Sequence, residues 1–451
     1  MATHEAHFNA THAPRYQVPV LQFATVFFAI LVIPLDYKFY AWIFTGEWLD
    51  FQITRLIKIV SYLPSFFNEL NNEQQLGIGA FASWGVALLL AIIGVVVWQQ
   101  LEKKGSIPAV NYERLYAWFR VVLRYKLALI LISFGSLKLC PLQFPFPSLS
   151  NLHTNYGDFL PWKIWYHTLG ITPNYTAFLG GVELLAGLLL CSNKTVGFGA
   201  ALTLGVHINV VFSSFSYQLG NQVFATFVFL VATILFVHDV PRLYSLLYQA
   251  KITAPEKELP LASERVRLVA RALFFVLASV IFLSALFNYK HDPYLIPKTP
   301  GLPNAAGLYN VREFIFNNDT LPYSRVDPNR WQNVIFEEWA TLSIRTAKPV
   351  IVDSTLYLTA ALADIDRVYE SAGVDGRRYF SYTADSTGRL QLVNKNRHHA
   401  AEKYTLTVLR PDPNTIILEG VNENNDHIKA VLERLDRKYL LIESRRKPIQ
   451  L

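Results

Sequence analysis

The chain has almost no sulfur chemistry to offer: two cysteines and one methionine in 451 residues. Cys140 and Cys191 form no CxxC. The topology derived below sets them about a membrane thickness apart, far beyond the ~7 Å Cα separation a disulfide tolerates. A dithiol redox pair is therefore disfavoured. Charge is scarce too, at 17% of residues. The opening MATHEAHFNATHAPRYQ lacks the basic region, apolar core and small-residue cleavage site of a signal peptide. No zinc-finger spacing or basic stripe interleaved with aromatics is present, so no nucleic-acid partner is expected. Nor is there a catalytic triad, phosphate loop or metal-ligand set. His4, His7 and His12 form so short and irregular a tract that a solvated tail is expected over a metal site. His398 and His399 read the same way, as a solvated loop.

What is abundant is apolar sequence. Hydrophobic residues make up 52%, clustered in long runs, and mean hydropathy is +0.24. That argues for a membrane protein rather than two or three soluble domains. The net charge of +7 then fits cytoplasmic loops rich in Lys and Arg.

The expected fold is an α-helical integral membrane protein of about seven transmembrane helices, including a four-helix bundle, followed by a C-terminal antiparallel β domain. The spans fall near 18–35, 77–99, 117–140, 174–192, 195–217, 220–238 and 268–288. Each supplies about 18–24 mostly apolar residues, enough for roughly 30 Å of hydrocarbon. Alternate connections carry the cations: Arg15; Lys103, Lys104 and Arg114; Lys194; then Arg242, Lys251, Lys257, Arg265 and Arg267. The intervening ones carry only Lys38, Arg55, Lys58 and Lys163. The positive-inside rule places the N-terminus in the cytoplasm and everything after residue 290 outside, in the periplasm of a bacterial inner membrane. The segments 38–70 and 141–173 are aromatic. Trp162, Trp165 and Tyr166 suit the headgroup level, so both segments read either as interfacial caps or as loops packed on the helices.

The organisation is a polar tail (1–17), two membrane helices with an amphipathic segment (18–110), a four-helix membrane domain (111–250), a cytoplasmic loop and last helix (251–290), a Pro/Gly-rich linker (291–307) and a β-rich soluble domain (308–451). In the last, RLQLV, YTLTVL and TIILEGV, among other short β-branched and aromatic segments, alternate with turn signals such as RPDPN and ENND. That spacing predicts a meander, either a small up-and-down barrel or a sandwich. Residues 354–373 are ambiguous and partly helical in character.

Ionisable residues inside spans are costly and so are candidates for function. Arg120 and Arg124 share a face at i, i+4. With Lys126 and Asp239 they are expected to form an inner-face charge network or to anchor the inner leaflet. Glu183 sits in the middle of FLGGVELLAGLLL. It lies ten residues before Asn193, and His207 lies thirteen after Lys194. At 1.5 Å per residue their depths differ by ~4–5 Å, within reach of a Glu–His hydrogen bond. Such a pair could be structural, carry protons or hold a headgroup. Gly197, Ala201 and Gly205 repeat at helix–helix contact spacing, and Asn209, Ser213 and Ser216 add a polar stripe. Lys138 ends the third span. It is expected at the outer headgroup level, snorkelling to water or phosphate, or binding an anionic or carbonyl head.

The stretches FRVVLRYKLALILISFGSLKLCPLQFPFPSL, GGVELLAGLLL and HDVPRLY resemble the DoxX family. Together with NVREFIFNNDTLP and YTLTVLRPDPNTIILEG, the chain is similar to the longer DoxX-like membrane proteins of Bacteroidota-type bacteria. The resemblance covers about 300 residues, with the four-helix unit near 115–247. It implies an accessory module of an envelope redox system rather than an independent enzyme, because the family's name comes from a small subunit associated with a thiosulfate:quinone oxidoreductase. It brings no catalytic residue set. Lys138 and Glu183 match motif positions. With His207 and Asn209 they are the ligand-binding candidates. No covalently bound cofactor is expected, and quinone is the lipophilic ligand implied. Two other readings stand beside this one: a non-catalytic scaffold presenting the β domain to an envelope protein partner, and a small-solute transporter or lipid handler.

Overall fold

A computed structural model describes residues 17–35, 37–45, 53–67, 78–108, 110–251, 261–291, 295–352 and 364–443. The N-terminal histidines, Lys257 and the segment 353–363 lie outside the described residues. The chain divides into two compact units. The first comprises 1–139 and 178–286, the second 140–177 and 287–451.

The first unit is helical: α1 (Gln17–Val32), α2 (Tyr37–Thr45), α3 (Ile53–Val60), α4 (Ala82–Lys103), α5 (Tyr112–Leu139), α8 (Pro173–Leu190), α9 (Val196–Ser216), α10 (Gln222–Val237), α11 (Val240–Tyr248) and α12 (Glu264–His291). Two short helices, α6 (Leu149–Leu152) and α7 (Pro161–Gly170), belong to the second unit. Among the described residues, four stretches are long and apolar enough to cross a membrane: Gly79–Lys103, Pro173–Leu190, Val196–Ser216 and Glu264–His291. Counting the bent pair α10–α11 makes five. The chain is thus a multi-pass membrane protein. The run at 18–35 folds as a 16-residue helix, shorter than a typical span. The 28-residue α5 falls outside the apolar set because Arg120, Arg124 and Lys126 interrupt its apolar sequence.

Packing follows side-chain size. On α4, Ala87 and Ala91 are fully buried while Leu89, Ile92, Ile93 and Val96 face outward. A water-soluble bundle would do the reverse. A bilayer accepts the large residues, and the small ones let helices approach. On α10, Val228, Val231, Ala232 and Leu235 recur at i, i+3, i+4, i+7 and are fully buried, marking the face turned into the bundle.

The second unit is an antiparallel barrel. Its strands are β1 (Gly307–Phe316), β2 (Asp319–Thr320), β3 (Asn333–Phe336), β4 (Thr341–Arg345), β5 (Arg378–Ala384), β6 (Arg389–Asn394), β7 (Lys403–Asp412), β8 (Thr415–Asn422) and β9 (His427–Leu435). They run as a meander, and β9 returns to pair with β1 along Leu308–Phe316. Eight strands therefore close, with the two-residue β2 appended to β1. A bulge between Val311 and Glu313 lets β1 serve both neighbours. Tyr309, Phe314, Trp331, Phe336 and Phe380 fill the interior, so the barrel is a packed core rather than a cup. Strand β6 alternates cleanly between outward and buried residues. By contrast β3 and β4 are buried almost continuously.

The reason for that difference is the segment 140–177, which includes residues 141–173, expected from the sequence to be either an interfacial cap or a loop packed on the helices. It belongs to the barrel unit instead. Its helix α6 lies against β3 and β4, and its helix α7 lies against residues 369–373, just before β5. Glu337 accepts the Leu149 and Ser150 amides at 3.1 and 2.8 Å, and the Ser150 and Ser343 hydroxyls meet at 2.7 Å. Trp162 is buried against Gly373 and packs edge-on to Tyr166. It serves as a core anchor and not as a headgroup belt residue. Within 364–373, which the sequence left ambiguous, residues 364–366 form a single 3-10 turn.

Candidate functional site

Helix α5 carries Lys138 one residue before its end. A helical side chain leans back toward the N-terminus, which turns the lysine stem into the bundle. The opposing helix α8 makes room for it. A Cβ at Gly180 would come within 2.8 Å of the Lys138 Cβ, and one at Gly135 within 2.8 Å of the Gly180 carbonyl. The backbones can therefore approach closely only because both positions are glycine. At this crossing Lys138 Nζ lies 2.5 Å from Glu183 Oε1. The lysine side chain is 12% exposed and the carboxylate 3%. The expected snorkelling to the headgroup level is thus corrected: Lys138 pairs inward.

His207 on α9 is also buried, at 7% exposure, and feels the charges of both Glu183 and Lys138. The anticipated Glu–His hydrogen bond does not form, because Glu183 has turned to the lysine. Glu183 Oε2 is left buried without a hydrogen bond, and the buried His207 ring has the Thr203 backbone, one turn back, beside it while its Nδ1 makes no close hydrogen bond. Chemically this is a fixed donor, a fixed acceptor and an imidazole held in an apolar surround. A carbonyl or hydroxyl head on a lipophilic molecule could meet these groups, and an unsatisfied buried polar atom costs roughly 1–3 kcal/mol. No metal-ligand cluster occurs among the described residues.

The remaining candidates disperse. Asn209 is exposed and bonds only to Ser213, one turn on, so the polar stripe faces outward and away from Glu183. The helix α8–α9 contact uses Gly199, where a Cβ would come within 3.0 Å of the Ala186 carbonyl. Gly205 faces open space. Of the small-residue repeat read from the sequence, Gly197 does meet a close neighbour, Asp239 just after α10, whereas Gly205 meets none.

The charge network does not assemble either. Arg124 donates to the Asn193 side chain at 2.5 Å, pinning the turn between α8 and α9, and stacks on Tyr125. Lys126 donates to the Val60 carbonyl at 2.8 Å and so caps the C-terminus of α3. Arg120 lies 5.9 Å from the Tyr116 ring centroid. Asp239 sits against Gly197 with Oδ2 unbonded, and no ion pair joins it to the three cations.

Sequence reasoning missed a second buried polar cluster, inside the barrel unit. Lys395 and Glu370 form an ion pair with both side chains essentially inaccessible. Glu370 also accepts from Thr341 Oγ1 at 3.1 Å. Lys163 of α7 donates to the Tyr369 carbonyl and sits over the Tyr369 ring. Burial drives its ammonium well below the usual lysine range, with Glu370 pulling the other way. His167 bonds Asn151, whose amide donates to the Glu370 carbonyl at 2.7 Å. Burial, helped by Lys163, holds the His167 pKa down at about 3. The partners are some 200 residues apart in sequence, so no local motif announces them. Their arrangement fastens 140–177 to the barrel and leaves Lys163 fully enclosed, which makes it a structural cluster.

Comparison of the chain with protein-family models, with curated proteins and with solved structures finds no match.

Proposed function

We propose that this protein is a multi-pass bacterial inner-membrane protein of the DoxX type, an accessory module of an envelope redox system. In this reading Lys138, Glu183 and His207 hold the polar head of a quinone or similar lipophilic ligand. The observation that carries it is the unsatisfied buried Glu183 Oε2, beside the buried His207 ring and a lysine with donors to spare. The Lys138 ammonium would donate to a head carbonyl, and His207 would donate to or accept from the opposite oxygen as its tautomer allows. The test is titration of a short-chain quinone into the purified full-length protein. Saturable binding weakened about tenfold or more in Lys138→Met and His207→Phe supports the reading. Equal binding by all three proteins refutes it.

The proposal includes seven spans, with the N-terminus in the cytoplasm and the barrel in the periplasm. One feature of the fold supports the count. Residues 140–177 and 287–451 fold as one unit and so share one side of the membrane. Between them run α8, α9, the bent pair α10–α11 and α12, an even number of crossings as that requires. The distribution of loop cations supports the direction. Reporter fusions at residues 110 and 300 test it: the first should report cytoplasm and the second periplasm. A cytoplasmic signal at 300 would overturn it.

A second reading is favoured by the same feature. Because α5 and α8 each run directly into the barrel unit, the bundle is also built to present that unit to an envelope partner. A scaffold of this kind would copurify with a protein and tolerate Glu183→Gln.

A further inference from the structure

Helix α10 ends at Val237 because HDVP follows. Pro241 has no N–H to donate to the Val237 carbonyl, and its ring would clash with that carbonyl if the helix continued. The chain restarts as α11, bent 56° from α10, with Pro241 in its first turn where proline is tolerated. Val240, Leu243, Tyr244 and Leu247 recur at i, i+3, i+4, i+7, while Arg242, Ser245 and Gln249 fall on the other side. Yet α11 buries no residue, and Leu247 and Tyr248 are 76% and 83% exposed. Here is an apolar helix face that the described residues leave uncovered, continuous with the apolar helix α10.

Its surroundings are basic. Arg242 and Lys251 lie on and just after α11. Arg265, Arg267 and Arg271 stand exposed on the first two turns of α12, among exposed Val266, Val269 and Leu273. Against these five cations, the described stretches 239–251 and 261–273 hold two acids, Asp239 and Glu264. Cations interleaved with outward apolar residues match a lipid leaflet, in which acyl chains and phosphates lie within one side chain's length of each other.

We propose that α11 lies in the interfacial plane of the leaflet at this end of the bundle, and that Arg242, Arg267 and Arg271 bind the phosphates of anionic phospholipid. The apolar face rests on acyl chains. The bend at Pro241 supplies the change of direction from a crossing helix to a surface one. The inference is independent of what occupies the Lys138–Glu183 site.

The test reconstitutes the full-length protein in equal mixtures of phosphatidylcholine and phosphatidylglycerol, then counts the lipids retained on release by native mass spectrometry. Wild type should retain phosphatidylglycerol in preference. Each cation near an anionic surface contributes enough for about a fivefold effect, so the triple variant R242Q/R267Q/R271Q should lose that preference by about tenfold or more. Arg242→Gln alone, a change on an exposed helix, should lose part of it even where the triple variant folds poorly. Arg325→Gln, on the barrel unit, should lose none. Equal retention of both lipids by wild type, or an unchanged preference in Arg242→Gln and the triple variant, would overturn the proposal. So would a copurifying protein that shields α11 from hydrogen exchange equally in pure phosphatidylcholine.

Discussion

Lys138→Met removes the ion-pair partner of a carboxylate that is 3% exposed. A charge stranded in this way costs about 3–5 kcal/mol in a protein interior. The lysine's own exposure, 12%, is too small for solvent to screen the pair as it would on a surface, where such pairs contribute ~0–1 kcal/mol. Glu183→Leu strands the ammonium instead and should cost about as much. The double variant leaves no charge behind and fills the crossing with apolar atoms, so its stability should return to within about 1–2 kcal/mol of wild type. The four proteins form a double-mutant cycle, read by thermal unfolding of the full chain in lipid nanodiscs. A coupling energy of several kcal/mol is expected. Single variants that each cost under about 1 kcal/mol and simply add would refute the reasoning, because they would mean that Lys138 reaches water.

Three further outcomes follow from the same structure. Gly180→Leu forces side-chain atoms into the space occupied by Lys138 and the Gly135 backbone, and should cost at least about 1–3 kcal/mol by the same unfolding assay despite leucine's better helix propensity. Gly373 has φ +70°, and a Cβ there would come within 2.6 Å of the Trp162 ring. Gly373→Ala should therefore destabilise the barrel unit by about 2–4 kcal/mol and shift the tryptophan fluorescence of α7. Acidification should loosen the attachment of 140–177. His167 titrates near 3 when folded and near 6.5 when unfolded, so below pH ~6.5 the unfolded chain binds the proton first. The stability contributed by neutral His167 is intact above that pH and falls by about 2 kcal/mol between pH 6.5 and 5. His153, held near 4 by burial, acts in the same direction, and Glu337, whose carboxyl burial pushes up, acts against it. The diagnostic is thus the flatter pH profile of His167→Gln in melts of the full chain, and parallel profiles would contradict the assignment.

Composition made the membrane helices readable, since eighteen apolar residues in a row need no knowledge of neighbours. At α5 the sequence expects a span at 117–140, and a 28-residue helix forms there even though three cations dilute the apolar run. The outward-facing strands were equally plain: RLQLVN alternates because one face meets water and the other the barrel interior. Strands β3 and β4 were harder, because a segment two hundred residues away covers their second face and erases the alternation. Trp162 misled for a related reason. Tryptophan suits both a headgroup belt and a buried anchor, and only Gly373 on the far side of the fold decides between them. Lys138, Glu183 and His207 could be singled out as costly residues in apolar runs, and their depths could be estimated from helix rise. Which of them pair depends on the rotation of each helix about its axis, and that is set by glycines at 135, 180 and 199 touching other helices. The repeat 197/201/205 shows the same limit: Gly197 lies against Asp239, but Gly205 meets open space and the α8 contact falls to Gly199.

The central claim is that the unsatisfied carboxylate oxygen beside Lys138 meets a lipophilic head, and mass spectrometry of the protein extracted in native lipid tests it most directly. Wild type should release quinone in stoichiometric amount, and both Lys138→Ala and Glu183→Gln should release far less while remaining folded. Absence of quinone from wild type, with the same protein partner recovered from all three samples, would contradict the claim and make the chain a scaffold.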